Sequence, residues 1–203
     1  MNNIEGFTIL NIRDYLQNDN EIGEADLKQL ISDFSCPLNP DVEKFLTKNA
    51  IEFTKKNQSV TYLVFTTEDA ILVGYFTLAI KPITLSAEGF SNNVKRKLAR
   101  VSELDAENNT FALSAYLIAQ LGKNFTGEAN KRISGQQLLE VAMETVYDLQ
   151  FMAGGMVVFL EAEKHPKLLN FYDEENGFKE FEIKEVQRAE SESHTLVQML
   201  KIL

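Results

Sequence analysis

Apolar positions along this chain fall into two spacings, and each change of spacing predicts a new element. Positions 7–12 alternate as a half-buried strand does. Leu27, Leu30 and Ile31 share one face of a helix over 25–34. A second helix begins at Pro40, whose fixed φ suits a first turn, and continues through Val42, Phe45, Leu46, Ala50 and Phe53. The β-branched and aromatic run 60–65 and the run 71–80 predict a hairpin closed by a turn over 66–70. Residues 84–109 break the pattern and predict an inserted loop with one helical stretch. The apolar run 111–120 suits a central strand. Over 133–153, Leu138, Ala142, Val146, Leu149 and Met152 recur at helical steps, and Gly154-Gly155 supplies a left-handed stop. A buried strand at 156–160, a short helix at 167–174 and two strands at 178–183 and 196–203, joined by an acidic turn, complete the order. No repeat or linker interrupts it, so the pattern predicts one α/β domain over 1–203, a mixed sheet with helices on both faces.

Composition narrows the chemistry. Cys36 is the single cysteine, and His165 and His194 are the two histidines, so neither a disulfide nor a metal centre is expected. No apolar run approaches the roughly 20 residues of a membrane span, and residues 1–6 lack a signal-peptide pattern. A cytoplasmic protein is the expectation. The net charge of −10 repels phosphate backbones at long range. Against that trend, residues 92–100 carry Lys95, Arg96, Lys97 and Arg100 with no acid among them. Such a cluster reads as a solvated helix face or as a patch for an anionic partner.

The most informative passage runs from the strand at 111–120 into the helix at 133–153. A loop entering a helix N-terminus leaves backbone N–H groups free at the positive end of the helix dipole, which suits a pyrophosphate. Gly135 lets such an anion approach closely.

These residues carry a family resemblance. Arg132-x-x-Gly135-x-Gln137 resembles motif A of the GNAT acetyltransferases, Q/R-x-x-G-x-G/A, with Gln137 in the final small position. The run from His165 through Phe171 and Tyr172, followed by Asn176-Gly177-Phe178, resembles motif B, with His165 where the family usually has Asn. Phe34-x-Cys36, Asn39, Phe45-Leu46, Ala50, Thr61-Tyr62, Val73-Gly74-Tyr75, the insertion at 84–109 and Leu121-Gly122-Lys123 are similar to the toxin-like subgroup. The resemblance spans about 33 to 178.

That resemblance implies a GNAT-like mixed central sheet, splayed at a V-shaped cleft, with acetyl-CoA as cosubstrate and no metal. It implies pantetheine lying along backbone near Asn124, Phe125 and Thr126, and pyrophosphate on the N–H groups of Arg132, Ile133, Ser134, Gly135, Gln136 and Gln137, with His165 beside the cofactor. A primary amine attacks directly. A lysine side chain is neutral in less than about one part in a thousand at pH 7, an α-amine in roughly one part in seven, so the enzyme must select or make the neutral form. Tyr172 is the expected general acid toward the thiolate, and Glu161 or a water chain the expected base.

Three readings of function follow. The first is an N-acetyltransferase acting on a small-molecule or peptide amine. The second is a toxin acetylating the amino group of aminoacyl-tRNA, favoured by the subgroup and the basic cluster, opposed by the net charge, and implying an antitoxin partner. The third, kept open by Gln137 and His165, is a non-catalytic acyl-CoA-binding or interaction module. A homodimer is compatible with all three.

Overall fold

The computed structural model describes residues 3–4, 6–16, 23–186 and 194–203. In chain order the elements are β1 (Asn3–Ile4), β2 (Phe7–Asn11), α1 (Ile12–Leu16), α2 (Glu24–Ser32), α3 (Pro40–Lys44), α4 (Ala50–Lys55), β3 (Val60–Thr66), β4 (Leu72–Ser86), α5 (Asn92–Leu98), β5 (Leu104–Asp105), β6 (Thr110–Lys123), α6 (Gly135–Ala153), β7 (Val157–Glu163), α7 (Pro166–Asn170), β8 (Lys179–Val186) and β9 (His194–Ile202). Contacts divide them into two compact units, residues 1–79 with 119–145, and residues 80–118 with 146–203. The strands β4 and β6 and the helix α6 each contribute to both units.

In the first unit the strand order is β1-β2-β3-β4, followed by the end of β6, and β1 to β3 pair antiparallel in sequence with their neighbours. Asn39 caps α3 by accepting from the N–H groups of Asp41 and Val42, and Pro40 takes the first helical position. A π-helical turn (Phe45–Asn49) joins α3 to α4, so the helix predicted from Pro40 is one column with a bulge. Leu27, Ile31, Phe34, Val42, Leu46 and Tyr75 form its core, and the Tyr75 hydroxyl donates to the Val42 carbonyl at 2.6 Å. Gly122 is a packing requirement, because a Cβ there would stand 2.3 Å from Val42 Cγ1.

In the second unit β4, β6, β7, β9 and β8 are neighbours in that order. The pairing of β6 with β7 is parallel and covers three rungs, Tyr116↔Val158, Leu117↔Phe159 and Ile118↔Leu160, whereas β7 and β9 pair over the whole of β7. The predicted insertion holds α5, capped by Ser91, and Leu98 seals Leu85, Ala87, Phe111 and Leu113 beneath it. Gly154 and Gly155 adopt φ of 76° and 103°, the left-handed stop expected after α6.

Several boundaries differ from the sequence reading. The hairpin's second strand runs to Ser86 instead of residue 80, because Ile83 and Leu85 re-enter a core after the exposed Lys81-Pro82 has hidden the periodicity. Helix α1 is too short to show a period. Most of the acidic turn expected before β9 lies outside the described residues.

Candidate active site

The segment from β6 to α6, all in the first unit, is built around two polar anchors. Asn124 is 7% exposed. Its side-chain amide donates to the Leu72 carbonyl at 2.9 Å, and its Oδ1 accepts from the N–H groups of Ser35 at 3.2 Å and Thr126 at 3.1 Å. The N–H groups of Asn124 and Phe125 donate to Val73 and Ser35 carbonyls, each at 2.8 Å. The N–H groups of Asn124, Phe125 and Thr126 all donate within the protein, as a strand end this buried must satisfy its own polar groups. β6 itself continues beyond Ile118, its last rung with β7, to Lys123.

Lys123 is the second anchor, and sequence reasoning assigned it no role. Its Nζ donates to the carbonyls of Asn130 at 2.7 Å and Ile133 at 2.9 Å, fastening the 3₁₀ turn Thr126–Lys131. Inside that turn Gly127 and Glu128 both hold left-handed backbone, with φ of 56° and 63°. A basic residue closing a strand just before a glycine-bearing loop was the signal that could have found it. Arg132 forms an ion pair with Asp69, and the guanidinium, followed by the Thr66 hydroxyl, holds the Asp69 carboxyl below its ordinary range. Arg132 is thus held by the hairpin turn that carries Asp69.

The start of α6 is a reciprocal cap. Ser134 Oγ accepts from the Gln137 N–H at 3.0 Å, and Gln137 Oε1 accepts from the Ser134 N–H at 2.9 Å. Gln137 is therefore the reciprocal member of a capping box. Arg132 N–H also donates internally, to Ala129. Among the described residues the N–H groups of Ile133, Gly135 and Gln136 have no acceptor, so half of the predicted cradle is open and half is closed by the protein itself. Ile133, 2% exposed, pins the loop to the core beneath.

The other predicted residues are in the second unit. Tyr172 sits in a π-helical turn (Phe171–Glu175), its ring packed edge-on against Phe171 at 5.1 Å and Phe178 at 6.0 Å. Burial pushes its phenol up to about 12. Its hydroxyl makes no hydrogen bond to another described residue and is not among the buried polar atoms left without a partner. Glu161 Oε1 accepts from Gln198 Nε2 at 2.5 Å and from Lys184 Nζ at 3.4 Å. His165 is exposed and makes no side-chain cap; its carbonyl starts α7 by accepting from Leu168 and Leu169. No hydrogen bond joins Tyr172 to Glu161 or His165 among the described residues.

Solved structures with the same architecture exist. AtaT complexed with acetyl-methionyl-tRNAfMet matches with a TM-score of 0.59 at 17% identity, covering 94% of this chain and 93% of that one. The fold is GNAT-like. AtaTR bound with AcCoA matches at 0.55 and 18% identity, over 98% and 94% of the two chains. A tyrosine-to-phenylalanine variant of KacT matches at 0.59 and 16% identity, over 95% of each. The resemblance to the toxin-like GNAT subgroup, read from residues 33–178, therefore holds for the architecture of nearly the whole chain. No family model and no curated protein matches the sequence.

Proposed function

We propose that this protein is an acetyl-CoA-dependent N-acetyltransferase, its two units forming one catalytic domain. The observation that carries the reading is the start of α6, where three unpartnered N–H groups follow a lysine-fastened loop on a GNAT-like fold. The open N–H groups of Ile133, Gly135 and Gln136 would receive pyrophosphate oxygens at the positive helix end. Residues 119–123 of β6 would receive pantetheine by strand addition.

In the reaction the neutral amine attacks the thioester carbonyl carbon. The new N–C bond forms, the C–S bond breaks, and sulfur leaves with the electron pair. The nitrogen gives up one proton, to Glu161 or to water. The thiolate is stabilised by a donor, and Tyr172 is that donor. With its phenol held near 12, complete proton transfer to a thiolate of pKa near 8.5 is uphill by roughly three powers of ten. Tyr172 therefore acts by hydrogen bonding to developing charge on sulfur, a narrower role than general acid.

Aminoacyl-tRNA is the acceptor favoured by two observations. AtaT, a structural neighbour, is complexed with acetyl-methionyl-tRNAfMet, and Arg96 on α5 and Arg100 just after it are exposed beside the half-buried Lys95 and Lys97. A toxin of that kind would also need an antitoxin. Thermal unfolding with acetyl-CoA tests the cofactor reading. At about 100 times the dissociation constant, linkage predicts roughly 2.7 kcal/mol of stabilisation, and Gly135→Val should abolish it with the ligand-free fold intact. An undiminished shift in Gly135→Val would place the pyrophosphate elsewhere.

A further inference from the structure

Three basic residues lie in the passage from β6 to α6, Lys123, Lys131 and Arg132, all within the first unit. Their charges are not equally free. Lys131 is paired with Glu128, and Arg132 is paired with Asp69 and also feels the charge of Glu68. Lys123 differs. Its ammonium donates to the carbonyls of Asn130 at 2.7 Å and Ile133 at 2.9 Å, and among the described residues no carboxylate stands within ion-pair distance of it. The two carbonyls orient the ammonium without cancelling its charge. Lys123 is half-buried, so salt screens it less than the exposed pairs on either side. The uncompensated charge of this passage is therefore that of Lys123.

That charge also stands close to open backbone. Nζ is 2.9 Å from the Ile133 carbonyl oxygen, and covalent geometry puts this oxygen at most about 3.6 Å from the nitrogen of its own residue, so Lys123 lies within about 6.5 Å of the unpartnered Ile133 N–H. In a trans peptide the carbonyl and the next N–H point opposite ways. Drawing the Ile133 carbonyl toward Lys123 therefore turns the Ser134 N–H away from it, where Gln137 accepts it and closes the cap of α6. One side chain both sets the loop and supplies its charge. We infer that Lys123 is the fixed positive charge of the cofactor's diphosphate site, placed beneath the loop, and that Arg132, already answered by Asp69, adds little. The inference rests on the acetyl-CoA reading. A diphosphate carries more negative charge than the roughly half a unit at a helix N-terminus offsets, so the site needs such a cation.

The test is calorimetric titration of acetyl-CoA into the protein at low salt and in about 1 M salt, for the wild type and three variants. Lys123→Gln keeps two N–H donors for the two carbonyls and removes the charge. Its acetyl-CoA affinity should fall by about tenfold or more at low salt, and the deficit should shrink at high salt. Lys123→Arg keeps the charge and should recover most of the affinity. Arg132→Met should cost less than about threefold, because its charge is already paired at the surface. That variant carries the test if Lys123→Gln does not fold. Undiminished affinity in Lys123→Gln, a deficit that salt does not change, an equal loss in Lys123→Arg, or a larger loss in Arg132→Met would each overturn the assignment and leave acetyl-CoA binding standing. Wild-type protein that binds no acetyl-CoA would overturn the cofactor reading as well.

Discussion

Tyr172 combines a buried ring with an unpartnered hydroxyl, and each half predicts something different. Tyr172→Phe keeps the ring, so acetyl-CoA affinity should change little and the turnover number should fall by about 10²–10³. Parallel loss of affinity would mean a structural tyrosine. The same burial makes a prediction about pH. With the folded-state phenol raised to about 12 against about 10 when unfolded, its contribution is fully present below pH 10 and is lost as pH rises through 12. Wild type should therefore lose roughly 2–3 kcal/mol relative to Tyr172→Phe across that window, read from paired thermal unfolding curves. Tyr172 was proposed from local spacing, its distance in sequence from His165 and Gly177-Phe178. The partners of Glu161 were not, since Gln198 and Lys184 reach it only through strand register.

At the scale of elements, periodicity located nearly every long strand and helix, because each presents an apolar face that one stretch of sequence must encode. The short elements α1 and β5 show no period of their own and were not legible. The loop before α6 enters a helix N-terminus as its sequence predicts, but which of its N–H groups stay open was not legible. Which N–H groups are open depends on Ser134 and Gln137 capping each other and on Asn124 bonding across to Leu72 and Ser35. Gln137→Ala removes one arm of the cap and frees the Ser134 N–H. The ligand-free protein should lose up to about 1 kcal/mol, and the stabilisation by acetyl-CoA should grow. A smaller shift than wild type would mean that Gln137 itself contacts the cofactor.

The whole chain carries a charge of −10 and yet concentrates Lys95, Arg96, Lys97 and Arg100 on and just after α5. If the acceptor is an RNA, those charges set its salt dependence. Lys95→Glu with Arg96→Glu should weaken aminoacyl-tRNA binding and flatten the slope of log affinity against log salt by about two, with small-amine turnover unaffected. An unchanged slope would return the cluster to a solvated face. The central claim is acetyl transfer to an amine, and the most direct measurement is mass-spectrometric detection of N-acetylated product. Purified protein is incubated with acetyl-CoA and, separately, with aminoacyl-tRNA and apolar amino-acid amides. The account predicts N-acetylated product that disappears with Gly135→Val and falls steeply with Tyr172→Phe. Tight acetyl-CoA binding with no acetylated product from any amine would contradict it.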